Sequence, residues 1–165
     1  MMDKSAIVAQ LIARVRENLG VAEREMAVAV EAARDGEDAQ TRREDTRMMI
    51  EYSALASGQR RRAEQARMML AELEVFRPGP LPPSGIIDLG AIVEIEDEDS
   101  GDGRTFFLAP TGAGIEITGP DGDGFFSVVT PTSPIGRAVR GQQVGDTIDI
   151  TVDGTTRRWE ITWAG

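Results

Sequence analysis

The chain has 165 residues, 41% hydrophobic and only 5% aromatic, with a formal net charge of −10 and neither cysteine nor histidine. That composition excludes disulfides, thiolate nucleophiles, the Ser-His-Asp triad and zinc held by histidine or cysteine. Any metal would have to sit on carboxylate oxygens, the donor set of magnesium, manganese or calcium.

The charge is uneven. Residues 1–76 carry 12 basic and 14 acidic side chains, whereas residues 77–165 carry 6 and 14. An acidic second half repels nucleic-acid phosphates and suits a basic protein partner. The start, MMDKSAIVAQLIARVREN, is not expected to be a signal peptide, because Asp3 and Lys4 precede a short apolar run that Arg14 and Arg16 interrupt. No window approaches the roughly 18 uncharged apolar residues of a membrane span, so a cytoplasmic protein without membrane contact is expected.

Residues 1–76 read as two helices. Val8, Leu11, Val15, Leu19, Ala22, Met26, Ala29 and Ala33 follow steps of three and four, and so do Met48, Tyr52, Leu55, Gln59, Arg62, Ala66, Met69, Leu73 and Phe76. Such spacing marks a coiled-coil seam. Gly36 fits the end of the first helix. The short connection makes the pair an antiparallel hairpin whose helices are about 45 Å long.

The hairpin tip falls in RDGEDAQTRREDTR, Arg34 to Arg47, where nine of fourteen residues are charged. Read as a turn, it is a solvated loop with acids near the positive end of the second helix. Read as a site, its carboxylates could complete a magnesium centre shared with another molecule, since Mg²⁺ keeps most of its waters and takes few protein ligands. Arg60, Arg61, Arg62 and Arg67 make a basic patch on the second helix, either a solvated flank or a track for nucleic-acid phosphates.

RPGPLPPSG, Arg77 to Gly85, has four prolines and two glycines and is a semi-rigid linker between residues 1–76 and 86–165. Beyond it, six short segments rich in β-branched or aromatic residues predict strands: Ala91–Glu96, Arg104–Ala109, Gly114–Thr118, Phe125–Thr130, Thr147–Val152 and Thr156–Trp163. Asp153-Gly154 is a hairpin signal. In TSPIGRAVRGQQVGD, Ser133 can cap a short helix, Pro134 fits its first turn and Gly141 its end. Residues 86–165 are therefore a small antiparallel sheet with one short helix, and the whole chain is α+β. The Asp-Gly clusters lack the remaining ligands of a calcium loop and read as acidic turns. Trp159, Trp163 and the Phe pairs are expected in the core.

The stretch VVTPTSPIGRAVRGQQVGDTIDI, Val128 to Ile150, resembles the C-terminal signature of the bacterial Gre (GreA/GreB) transcript-cleavage factors, with Ser133, Pro134, Ile135, Gly136, Arg137, Ala138, Gly141, Val144, Gly145 and Asp146 matching in order. EYSALASGQRRRAEQARMMLAELE, Glu51 to Glu74, resembles the family's second helix. The resemblance implies an FKBP-like C-terminal domain that docks on RNA polymerase near its secondary channel, with Ser133, Pro134, Ile135, Gly136 and Arg137 as candidate contacts. It implies a coiled coil that enters the channel and brings tip acids to the polymerase active site. There they would help hold a shared Mg²⁺ and its attacking water, so that the polymerase hydrolyses the backtracked transcript. The basic patch would lie near the nascent RNA 3′ end. The factor would be a monomer with no active site and no cofactor of its own.

The family's tip has an aspartate after a glycine and, two residues later, Glu-Asn. Here Glu37 and Asp38 follow Gly36, and the position three beyond Asp38 is Thr41. Asp38 is the best carry-over, with Glu37, Glu44 or Asp45 as the second carboxylate and Asp38 with Glu44 as the candidate metal pair. A homologue that occupies the channel without cleavage is the second reading. A prolyl isomerase of FKBP type is a third, weakened because Phe106, Phe107, Phe125, Phe126, Trp159 and Trp163 are the only aromatic residues of that half and the core claims most of them.

Overall fold

The computed structural model describes residues 3–37, 44–119 and 124–165, with residues 33–37 and 44–45 as backbone only. The chain forms two compact units, Met1–Ile12 with Glu72–Gly165, and Ala13–Ala71. The outer ends of both long helices thus belong with the sheet, upstream of the composition change at Arg77.

Helix α1 spans Lys4–Glu37 and α2 spans Glu44–Val75. At 1.5 Å per residue the 34 residues of α1 extend about 51 Å. Asp3 starts α1, its Oδ1 accepting from the backbone N–H of Ser5 at 2.9 Å. Arg77 closes α2, its Nη1 donating to the carbonyls of Glu74 at 2.7 Å and Phe76 at 3.0 Å. Helix α1 runs one residue past Gly36.

From Val8 to Ala29 the α1 seam is as its spacing predicts: Val8, Leu11, Val15, Ala22 and Ala29 are buried, and Leu19 and Met26 half-buried, while the side chain of Ala33 lies outside the described residues. In α2 three seam positions move by one. Tyr52, Gln59, Ala66 and Leu73 point inward as expected, but Ala56 and Ala63 are buried in place of Leu55 and Arg62, and Met48 is exposed. Both neighbours at these positions satisfy a three-four spacing. Alanine wins because its small side chain lets the helices approach, while Arg62 keeps its charge in water.

In the sheet unit, β1 (Ile92–Asp97), β2 (Gly103–Leu108), β3 (Glu116–Thr118), β4 (Phe125–Val129), β5 (Thr147–Val152) and β6 (Thr155–Ala164) form one sheet in the order β3-β4-β2-β1-β6-β5. Helix α3, Pro134–Val139, lies between β4 and β5 in the chain. The α+β class and the strands hold. Within the expected antiparallel sheet one pair differs: β2 and β4 run parallel, because β3 takes the outer edge and turns the chain back so that β4 lies beside β2. Asp153 and Gly154 both have positive φ, 52° and 77°, and close the tight β5–β6 turn.

One sheet face carries the main core. Val93, Ile95, Phe106, Leu108, Ile148, Ile150, Trp159 and Ile161 pack with Val139 of α3, and Ile135 and Ala138 lean on the same cluster. Successive strand residues point to opposite faces, so the fully buried Ile92 and Phe107 belong to the other face. There the Phe107 ring lies 6.2 Å from that of Phe76.

A β-bulge decides where the last tryptophan goes. Trp163 pairs with Glu94 but Ile161 pairs with Ile95, leaving Thr162 as the extra residue, its hydroxyl donating to the Glu94 carbonyl at 3.2 Å. The alternation therefore flips beyond Ile161. Ala164 turns to the core, and Trp163 is 40% exposed on the other face. Trp163 is thus not the core residue its sequence neighbourhood predicts, and Phe125, on the outer hairpin β3–β4, is exposed as well.

The proline-rich linker is pinned to its own unit. The carbonyl of Gly79 accepts from Lys4 Nζ at 2.8 Å, and the carbonyl of Ser84 accepts from Gln143 Nε2 at 2.9 Å. Pro78 fits against Gly90, where an added Cβ would stand 2.8 Å from the proline Cβ.

Candidate functional site

The signature around α3 is first a backbone lock. Ser133 Oγ donates to the Thr130 carbonyl at 2.7 Å and accepts from the N–H groups of Thr130 and Gly136, both at 3.2 Å. The Thr130 carbonyl comes so close to Gly136 that a Cβ there would sit 1.8 Å from the oxygen. The serine and the glycine are therefore consumed in shaping the turn into α3, one as N-cap and the other as the only side chain that fits. Of the proposed contact residues, Pro134 and Arg137 remain exposed, and Ile135 is half-buried.

Ile135 forms part of a groove of about 360 Å³ on the core side of the sheet. Its apolar lining comes from Ile95, Ile135, Ile150, Val152 and Trp159, and Arg104 and Arg157 also line it. The Arg104 guanidinium lies 5.6 Å from the centre of the Trp159 ring, within cation–π range. Arg157 Nη1 donates to Asp97 Oδ2 at 3.3 Å. Asp97 itself holds the β1–β2 turn, its Oδ1 accepting from the N–H of Asp99 at 2.8 Å and of Ser100 at 3.3 Å. The Asp99 N–H bond, helped by that of Ser100 and by Arg157, holds the Asp97 carboxyl below its ordinary range, against the opposing effect of burial. The groove is thus apolar at its base, with Arg104, the Asp97-paired Arg157 and Asp153 among its polar lining. Apart from Ile135, its residues come from four different strands and, with Asp153, from the β5–β6 turn, and no local motif announces them.

At the tip, Asp38 and Thr41 lie outside the described residues, as do the side chains of Glu37, Glu44 and Asp45. The backbone places Glu37 at the end of α1 and Glu44 at the start of α2. Among the described residues no cluster of three or more acidic side chains is arranged to hold a metal. Arg60, Arg61, Arg62 and Arg67 are all exposed on α2. Arg67 is tied to Glu23 across the hairpin at 2.9 Å, so the patch rests mainly on the other three.

The chain thus joins a long helical hairpin to a mixed sheet whose Ser-Pro-Ile-Gly turn builds the wall of a groove. Residues 82–163 match the family model described as transcription elongation factor, GreA/GreB, C-term, and the chain belongs to that family through its C-terminal half. Among its relatives are the transcription elongation factor GreA of Verminephrobacter eiseniae, 32% identical over 101 residues, and that of Methylococcus capsulatus, 35% identical over 104 residues. In both cases the match covers 61% of this chain and 58% of the relative. The chain thus spans less than two thirds of the length of the curated relatives it matches. Among solved structures, the GreA factor homolog 1 (Gfh1) of Thermus thermophilus superimposes with a TM-score of 0.40 and 20% identity over 93% of this chain and 94% of that one. No helix among the described residues is long and apolar enough to cross a membrane.

Proposed function

We propose that the protein is a cytoplasmic, monomeric transcription elongation factor that binds bacterial RNA polymerase at its secondary channel and stimulates cleavage of backtracked transcripts. The observation that carries this reading is the GreA/GreB match over residues 82–163, which includes the α3 turn and the groove beside it. The groove, with Ile135 in its wall and Arg104 and Arg157 along its lining, is the docking surface for the polymerase. Helices of more than 30 residues are long enough to carry a charged tip into a channel. Asp38 with Glu44 would hold a Mg²⁺ shared with the polymerase, with Glu37 and Asp45 beside them. Arg60, Arg61 and Arg62 would lie along the nascent RNA. The factor supplies ligands and position; hydrolysis belongs to the polymerase, and the factor needs no active site of its own.

A second reading is favoured by one sequence feature, the threonine at position 41 where the family's tip has glutamate. In that reading the factor occupies the channel and modulates the polymerase without cleavage. Both are tested by adding the protein to a backtracked elongation complex. Transcript shortening that is lost in Asp38→Ala or Glu44→Ala establishes cleavage. Displacement of a cleavage-competent factor without shortening establishes the second reading, and failure to bind the polymerase removes both.

A further inference from the structure

The sheet unit has a cavity that none of these roles uses. It measures about 700 Å³, within the range of small-molecule sites, and is bounded by the first turns of α1, the linker and the end of β6. Val8, Ile12, Phe76, Leu81 and Trp163 give it an apolar wall. Trp163 lines it only because the bulge at Thr162 turns the indole off the core face.

Two cations line this cavity, and Arg77 is engaged, its Nη1 donating to the carbonyls of Glu74 and Phe76. Lys4 is only 6% exposed, and burial holds its ammonium below the ordinary lysine range. Its Nζ donates to the Gly79 carbonyl at 2.8 Å, and among the described residues it meets no carboxylate at ion-pair distance. An ammonium has three protons to donate, so Lys4 retains capacity for an acceptor entering the cavity. Asp3 also lines the cavity, but its carboxylate is bonded to the N–H and hydroxyl of Ser5. A buried, unpaired charge is costly, and an anion that closes the pair removes that cost.

We propose that this cavity binds a small amphiphilic carboxylate, its acyl or aryl-alkyl chain against Phe76, Leu81 and Trp163 and its carboxylate on Lys4 Nζ. The site is independent of the polymerase reading, because it uses neither the α3 groove nor the hairpin tip.

The test is calorimetric titration of the full chain with decanoate and with 1-decanol, both below their aggregation limits, with tryptophan emission followed in parallel. Decanoate binds at one site and shifts the emission, and the shift disappears in Trp163→Phe. Lys4→Gln weakens decanoate by about tenfold or more, the range of a charge-assisted hydrogen bond, and leaves decanol unchanged. Ala9→Phe, which narrows the cavity from its exposed side without touching Lys4, weakens both. Circular dichroism and thermal melting establish that each variant is folded. No binding of decanoate, equal affinity for the alcohol, or full affinity in folded Lys4→Gln overturns the proposal.

Discussion

Gln10 and Thr118 are 108 residues apart, yet they exchange two hydrogen bonds. The Gln10 Nε2 donates to the Thr118 carbonyl at 2.9 Å, and the Thr118 N–H donates to Gln10 Oε1 at 3.0 Å. A side-chain amide on α1 thus imitates the backbone of a further strand beside β3, the outermost strand on its side of the sheet. An open sheet edge is a template for unwanted pairing, and here the helix covers it.

Gln10→Ala removes both bonds and exposes the β3 edge. It should cost about 1–3 kcal/mol, read as a lower urea midpoint, and raise amide exchange at Thr118. Gln10→Glu keeps the acceptor, loses the donor and faces the Thr118 carbonyl with a negative charge, so it should cost at least as much. An unchanged midpoint in both variants would show that the pair is incidental.

Gly136→Ala places a methyl group 1.8 Å from the Thr130 carbonyl oxygen. No rotamer relieves a clash with backbone, so the turn into α3 must open. The expected loss is about 3 kcal/mol or more, together with loss of the α3 groove. Ser133→Ala, which deletes the cap but leaves the space, should cost about 1 kcal/mol. The glycine variant should therefore be the worse of the two, and the reverse order would contradict the lock.

Gln59 is 5% exposed in the hairpin seam, and its Oε1 has no hydrogen-bond partner among the described residues. Replacing it with leucine removes an unsatisfied acceptor and adds apolar contact, so Gln59→Leu should stabilise the hairpin by about 1–2 kcal/mol. Amide exchange across residues 52–66 should slow. A single polar seam residue also guards register, so the same variant should give less specific helix pairing if register is its purpose. Fluorescence transfer between labels on α1 and α2 would report a second population.

Asp97 predicts acid sensitivity of the sheet unit. Its carboxyl is 2% exposed and lies below its ordinary range in the fold, chiefly through the Asp99 N–H. A carboxyl depressed in the native state adds stability that is fully present above the unfolded value, about pH 4. That stability is lost as pH falls through the lower folded value. Asp97→Asn should therefore be destabilised at pH 7, and its stability should converge on that of the wild type as pH falls below the folded value. Denaturant melts at pH 7 and at stepwise lower pH would show the two curves meeting. Curves that stay parallel would remove Asp97 as the titrating group.

Much of the local structure is legible in the chain. The three-four spacing of Val8, Leu11, Val15 and Ala22 identifies α1, alternating β-branched segments identify six strands, and Asp153-Gly154 and Ser133-Pro134 mark a turn and a helix start. Each of these preferences acts between residues close in sequence, through steric limits on the backbone and through capping bonds. The α2 seam shows where this stops. Met48 or Met49, Leu55 or Ala56, and Arg62 or Ala63 satisfy the spacing equally, and only the approach of α1 selects between them.

Relations across long sequence separation were settled by the tertiary structure. The parallel β2–β4 pair follows from which strand took the edge. The groove of Ile95, Arg104, Ile135, Ile150 and Trp159 assembles residues from four strands and a helix, none of which marks the others. The two tryptophans, Trp159 and Trp163, are four residues apart in one strand and would share a face by alternation alone. A single extra residue, Thr162, sends them to opposite faces, one into the core and one into a cavity beside Lys4. The bulge exists because β6 must pair with β1 on both sides of it, a constraint set by a strand more than 60 residues away.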